Sequence, residues 1–376
     1  MIRKILMISD NDITSDKSLG VTKKLLGQYK AFHNLGFDTY HLCFKDEQGV
    51  LIHDDETKVL VKKQKKLYFT YVQLLGMAHK VCLENNIDLC YIRYPLADFP
   101  FMSMIKKLHK ICKVVVEIPT YPYDKQNKQL TGLFSKYKVL SDKFYRKKIH
   151  KYNVSFATFD DSKEIFGVNV VNISNGVDVE SVKYLGEDLL KSKDVHIISV
   201  ALIQRDHGYD RLIEGLKKYY ENKTNDMPDV YYDIVGNGKE RENLEYLVNT
   251  YNLNKYVTFY GGKFGEELDD IFLKNTIAVS VLGGHRSGLT KTSVLKNREY
   301  CARGIPFISS TPDTAVPEGC DFCKLVEANE NPIDINEIVE YYEYVKQRPE
   351  IHKQMREFAE ETMTWEKQLK KVIDAV

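Results

Sequence analysis

The chain has 376 residues, 43% hydrophobic and 28% charged, with a formal net charge of +1. That is about twice an ordinary domain, so two domains of similar size with substantial cores are expected. No apolar run reaches the roughly 18 residues that span a bilayer, and the N-terminus enters a strand without a signal peptide. These features exclude a membrane-spanning chain and predict a cytoplasmic protein.

The apolar run 2–10 reads as a buried parallel strand, 20–36 as a helix and 37–43 as the next strand. Further strands are expected at 89–93 and 113–118. Two basic and aromatic clusters interrupt this half. Lys62, Lys63, Lys65 and Lys66 precede Leu67, Tyr68 and Phe69; Lys136, Lys138, Lys143, Arg146, Lys147, Lys148 and Lys151 alternate with Phe134, Tyr137, Leu140, Phe144, Tyr145 and Ile149. The second cluster has helical spacing and suits either an anionic membrane surface or a core-facing helix with a solvated basic side. Neither cluster sits in a helix-turn-helix, zinc-finger or RNA-recognition pattern, so no nucleic-acid partner is expected.

A turn at Asn175-Gly176-Val177-Asp178 and a charged segment through Lys193 mark a domain boundary, after which the pattern restarts. Strands are expected at 195–201, 230–235, 257–260 and 277–282, with helices at 209–220, 241–252 and 266–273. The predicted domains are 1–185, 186–355 and a C-terminal helix, 356–376, packing back on the first. Strands alternating with helices imply two parallel sheets, with ligands at the carboxyl ends of their strands. Trp365, the only tryptophan, reads as a packing anchor. Seven scattered cysteines predict reduced thiols. Cys320 and Cys323 have the spacing of half a zinc site, but with no second pair nearby they read as structural, and no metal is expected.

The most informative segment is 287–308. It reads as a Gly-containing loop, a helix opened by Thr292 or Ser293 and closed by Gly304, and a strand after Pro306. Lys296 and Glu299 share one face of that helix. The Lys suits a phosphate and the carboxylate two sugar hydroxyls; an ordinary solvated helix explains the same letters.

The turn at 175–178, Val235-Gly236-Asn237-Gly238 and Glu299-Tyr300-x-Ala302-x-Gly304-x-Pro306 together resemble the retaining GT-B glycosyltransferases of family 4. The resemblance spans nearly the whole chain and is strongest from 175 to 310. Arg93-Tyr94-Pro95 and 117–123 look like the subset acting in bacterial capsule and surface-polysaccharide assembly. The resemblance implies two Rossmann-like domains facing a central cleft, the second holding a nucleotide-sugar donor and the first a glycan acceptor expected to be lipid-linked. It implies no cofactor and no metal, with a UDP-sugar expected ahead of a GDP-sugar.

Residue by residue, Glu299 matches the second Glu of the family's E-x7-E element, expected on the ribose. Gly236 and Gly238 match glycines bordering the base and ribose, and Gly20 matches the glycine loop of the first half. Three elements of the pattern are altered. Lys291 stands where the first Glu is usual, Leu202 and His207 replace the diphosphate-binding Arg and Lys, and 117–123 lacks the usual His.

Charge still favours a diphosphate site. Arg205, His207, Lys291 and Lys296 fall in the two loops expected to face the leaving group, with N–H groups of 292–294 assisting. Lys296 and Arg205 are the principal candidate cations, and Ser293, Leu295 and Arg286 are further donor candidates. His207 is either a phosphate donor or a capping residue. In the first half Arg93, Thr120 and Tyr123 are acceptor candidates, and Glu117 is a candidate for contact with the reacting groups; Tyr123 can equally stiffen a turn. The competing functions are a non-catalytic GT-B partner subunit and a nucleotide-sugar epimerase. A dinucleotide-dependent oxidoreductase lacks Gly-x-Gly-x-x-Gly after either first strand.

Overall fold

The computed structural model describes residues 2–15, 19–124, 132–186, 188–189 and 191–376. The chain divides into two compact units, residues 1–176 with 365–376, and residues 177–364. Residues 177–185, assigned by sequence to the first half, lie in the second unit because Val177, Val179, Val182 and Leu185 enter its core.

The first unit runs β1 (Lys4–Asp12), α1 (Leu19–Asn34), β2 (Asp38–Lys45), β3 (Gln48–His53), β4 (Glu56–Val61), α2 (Leu67–Asn85), β5 (Leu89–Arg93), α3 (Phe99–Leu108), β6 (Lys113–Ile118), α4 (Leu133–Tyr145), β7 (Ser155–Thr158), β8 (Glu164–Ile165) and β9 (Val168–Asn172). The sheet order is β4-β3-β2-β1-β5-β6-β7-β9-β8. The pairs β2–β1, β1–β5, β5–β6, β6–β7 and β7–β9 are parallel, while β3 pairs antiparallel with β2 and β4, and β8 with β9. Four consecutive buried residues, Ile5 to Ile8, give β1 apolar contacts on both faces, as a central parallel strand requires. The β3–β4 hairpin, absent from the sequence reading, turns at Asp54 with φ 49°.

The second unit runs β10 (Val195–Val200), a 3-10 turn (Arg205–His207), α5 (Tyr209–Asn222), β11 (Val230–Val235), α6 (Arg241–Thr250), β12 (Val257–Gly261), α7 (Gly265–Phe272), β13 (Ile277–Val279), α8 (Leu295–Arg303), β14 (Phe307–Ser309), β15 (Cys323–Leu325), α9 (Ile335–Lys346) and α10 (Glu350–Thr362). Its strands lie in the order β12-β11-β10-β13-β14-β15, and every pair is parallel. The order reverses between β10 and β13, so the loops leaving their carboxyl ends flank a switch point. In the first unit the corresponding reversal lies between β1 and β5.

The last helix, α11 (Trp365–Ala375), belongs to the first unit. Trp365 is buried against two glycines: a Cβ at Gly27 would lie 2.8 Å from its ring, and one at Gly176 2.7 Å. Asn34 donates to Glu366 at 2.8 Å, and the Ser174 N–H donates to Gln368 at 2.9 Å. Because the indole fills space that both glycines leave open, Trp365→Ala is expected to cost about 3–5 kcal/mol. Urea denaturation followed by circular dichroism checks this; an unchanged midpoint removes Trp365 as the anchor of α11.

Candidate functional site

The carboxyl edge of the second sheet is built by backbone packed on backbone. A Cβ at Gly236, where φ is 126°, would lie 1.9 Å from the Ala201 carbonyl oxygen, and one at Gly238 would lie 2.1 Å from that of Ile203. The Ala201 N–H donates to Val235 at 3.0 Å and the Ile203 N–H to Asn237 at 2.8 Å. The space where their side chains would stand is therefore filled by the chain's own loop. Gly208 does the same on the other side. A Cβ there would stand 2.5 Å from the Gly283 nitrogen, and the Leu282 N–H donates to His207 O at 2.9 Å.

Arg286 ties these loops together. Its guanidinium donates to the Arg205 carbonyl at 2.9 Å, to both Asp210 oxygens at 2.8 and 2.7 Å, and to Glu330 at 2.6 to 3.1 Å. Arg286, against burial and with His285 alongside, holds the Glu330 carboxyl down to about 2. The guanidinium is thus a clamp whose donors are engaged within the second unit. His207 resolves as a cap: its Nδ1 accepts the Gln204 N–H at 3.3 Å and its ring stacks on Tyr209 at 5.3 Å. Burial, and then the neighbouring Lys296, push its pKa down to about 2, so the ring is neutral. The Arg205 side chain is exposed.

Lys296 reaches in beneath these loops from the first turn of α8. Its Nζ donates to Tyr209 OH at 3.0 Å and to the Ser280 carbonyl at 3.1 Å, and lies 5.4 Å from the Tyr209 ring centre. The side chain is half-buried and the ammonium is crowded by protein atoms. That burial brings its pKa down to about 7, opposed only by Asp206. Glu299 lies one turn on along the same face, also half-buried.

The opposite face of α8 anchors the helix. Arg298 is fully buried, pairs with Asp313, and donates to Ser293 Oγ at 3.1 Å and to Val294 O at 3.0 Å. Asn297 also reaches Asp313, at 2.8 Å. The helix starts at Leu295, which is half-buried, with Val294 as an extended N-cap. Neither Thr292 nor Ser293 caps it. Thr292 instead pairs with the 312–314 segment, its N–H donating to Pro312 at 2.8 Å and its carbonyl accepting from Thr314 at 2.9 Å. The expected N–H donor at 292 is thereby used, and Lys291 is exposed in the preceding loop.

In the first unit, Arg93 and Glu117 stand at the carboxyl ends of neighbouring strands. Glu117 is fully buried and accepts from Lys24 at 2.9 Å, Gln28 at 2.5 Å, Tyr91 at 2.7 Å and Arg93 at 3.2 Å. Burial opposes ionisation, but Lys24 and Arg93 together hold its carboxyl below the usual range. Burial also outweighs the attraction on Lys24 and brings that ammonium down to about 8. Lys24 lies 3.8 Å over the Phe159 ring. Enclosed by four partners, Glu117 holds Arg93 at the carboxyl end of β5.

Sequence reasoning missed Lys24 and Gln28, whose spacing within the apolar stripe of α1 was the available signal. Thr120 is exposed beyond β6. Tyr123 is buried and donates to Asp142 at 3.0 Å. Gly20 sits in the first turn of α1, where a Cβ would meet nothing within 4 Å. Among the described residues the one trio of metal-ligating side chains is Cys82, Cys90 and Cys112, in the first unit. Removing Glu117 leaves the Lys24 charge buried and unpaired, so Glu117→Ala is expected to destabilise by about 3–5 kcal/mol. Denaturant titration measures it, and a loss below about 1 kcal/mol contradicts the buried network.

Residues 184–362 match the family model of the Glycosyl transferases group 1. No curated protein matches the sequence. Among solved structures, a sucrose-phosphate synthase from Thermosynechococcus elongatus aligns with TM-score 0.67 and 17% identity over 99% of this chain and 98% of its own. A glycosyltransferase from Rickettsia africae aligns with TM-score 0.68 and 12% identity over 100% and 97%. Anabaena HepE, in complex with UDP-glucose, aligns with TM-score 0.59 and 14% identity over 99% and 100%. Two parallel-sheet α/β units with this family match and these neighbours have the GT-B fold, and together they support glycosyl transfer by a GT-B glycosyltransferase.

Proposed function

We propose that the chain moves a sugar from a nucleoside-diphosphate donor, with retention and without a metal, to a lipid-linked glycan in bacterial surface-polysaccharide assembly. The observation that carries this reading is Lys296, a half-buried cation at the carboxyl edge of the second sheet with Glu299 one turn away on the same helix face. A diphosphate leaving group gains negative charge as the glycosidic bond breaks. Lys296 and the exposed Arg205 offset that charge, while Glu299 accepts hydrogen bonds from the ribose hydroxyls. The departing phosphate takes the acceptor proton on the same face, so the chain needs no pair of carboxylates. The likeness to Anabaena HepE, solved with UDP-glucose, supports a uridine donor.

Contact with an anionic membrane surface belongs to the same proposal. On the inner side of α4, buried Asp142 accepts from Tyr94 and Tyr123, and Lys138 pairs with Asp98 at 2.8 Å. Tyr137, Leu140 and Phe144 are left exposed, with the Lys148 ammonium 3.6 Å over the Phe144 ring. An exposed apolar stripe flanked by lysines suits a lipid headgroup region. Among the described residues no helix is long and apolar enough to cross a membrane.

A second reading, a non-catalytic GT-B partner subunit, is favoured by the engagement of Arg286 and His207 within the protein. Thermal-shift measurements with UDP, GDP and their sugars separate the two. The proposal expects UDP or a UDP-sugar to raise the melting temperature and Glu299→Ala to abolish the rise. No shift with any nucleotide, together with no donor hydrolysis or transfer, favours the partner reading. A changed donor sugar formed without acceptor identifies an epimerase instead.

Lys296 adds a pH signature. An amine of pKa about 7 is partly neutral in the free protein near neutrality, and a bound diphosphate raises that pKa. Binding therefore takes up a proton, and affinity for a UDP-sugar falls as pH rises from about 6 to about 9. Calorimetry in buffers of different ionisation enthalpy checks the uptake. Lys296→Met is expected to flatten the dependence; an unaltered profile removes Lys296 from the phosphate site.

A further inference from the structure

Three cysteines from three separate elements meet at the amino edge of the first unit's sheet, the edge opposite Arg93 and Glu117. Cys82 lies in the last turn of α2, Cys90 is the second residue of β5, and Cys112 immediately precedes β6. The α2 end is fixed by Asn86 in the left-handed conformation, with the Ile87 N–H donating to the Cys82 carbonyl at 3.0 Å. The Cys112 N–H donates to Leu108 O at 3.0 Å, and the Lys113 N–H to Asp88 O at 2.9 Å. The backbone at all three positions is thus held by hydrogen bonds independent of the sulfurs.

The sulfurs are close. Sγ of Cys90 is 3.4 Å from that of Cys82 and 3.5 Å from that of Cys112, and all three lie within 4.8 Å of one another. Cys82 and Cys90 are buried and Cys112 is half-buried, which leaves an approach from one side. Three sulfurs bound at about 2.3 Å to a common centre stand roughly 4 Å apart, so the two pairs that Cys90 makes need to open by only about half an ångström. A disulfide between any two requires a closure to about 2 Å, more than twice that displacement, and leaves the third sulfur unused.

We propose that Cys82, Cys90 and Cys112 bind one thiophilic d10 metal ion that staples α2, β5 and β6 together. The donor set is sulfur alone, with no histidine or carboxylate in the group, which selects soft cations over magnesium, calcium or manganese. Each sulfur that enters as thiolate releases its proton to solvent as the metal–sulfur bond forms, so affinity rises with pH. The site lies at the edge of the sheet opposite the proposed acceptor residues, and it stands whether or not the transferase reading holds.

Titration of the reduced full-length protein with Cd2+ tests the site. The expected result is thiolate-to-cadmium charge-transfer absorbance saturating at one ion per chain, reversed by competition with Zn2+ or Cu+, together with a raised melting temperature. Cys112→Ser and Cys82→Ser are expected to abolish the band, whereas Cys43→Ser and the pair Cys320→Ser, Cys323→Ser retain it. A band that survives Cys112→Ser, or no band at all, overturns the assignment. A readout needing no variant is alkylation of the native protein mapped by mass spectrometry. Bound Cd2+ is expected to slow labelling of Cys112 at least tenfold, and an unchanged rate rejects the site.

Discussion

The carboxyl edge of the second sheet depends on backbone approaching backbone closer than any side chain allows. The segment 201–208 is pressed between the loop after β11 and the loop after β13, and Gly236, Gly238 and Gly208 stand where a Cβ would sit 1.9 to 2.5 Å from a main-chain atom. That contact fixes the 3-10 turn Arg205–His207, and with it His207 and the start of α5. Tyr209, at that start, then supplies the hydroxyl that receives Lys296. A bulkier residue at any of the three glycines would shift main chain rather than a flexible tip, at a cost typical of overpacked cores, about 1–3 kcal/mol or more.

Helix α8 shows how one short element serves two purposes. Its inward face is fastened by the buried Arg298–Asp313 pair and by Asn297, so the helix cannot rotate without uncovering a charge. The other face is then committed to presenting Lys296 and Glu299. The same logic operates around Glu117, where four partners satisfy one buried carboxylate and hold Arg93 at the strand end. In both units charges far from solvent act on placement, and half-buried groups stand beside them.

The restart of the strand and helix pattern after residue 195, and the strands at 89–93, 113–118 and 230–235, were legible because buried parallel strands are short continuous apolar runs. The Lys296 and Glu299 pair was legible because a three-residue spacing on a helix is a local property. The start of α8 was not, since Thr292 is diverted by pairing with 312–314, a partner about twenty residues away. The surroundings of Arg286 were not legible for the same reason: its partners Asp210 and Glu330 are assembled by loop packing that no spacing rule encodes, whereas the Gln204 contact of His207 is local and capping was one of its two readings.

By itself the sequence determined two parallel α/β units, the helix carrying Lys296 and Glu299, and Trp365 as an anchor, because periodicity and residue size act locally. Only the tertiary structure decided which cations remain available and which are spent. It showed that Gly236 and Gly238 admit the chain itself, that Glu117 is sealed in a network, and that Cys82, Cys90 and Cys112 converge. The physical reason is that hydrogen bonding and desolvation depend on what lies within a few ångströms in space, and neighbours in space here come from as far as 332 residues away in sequence.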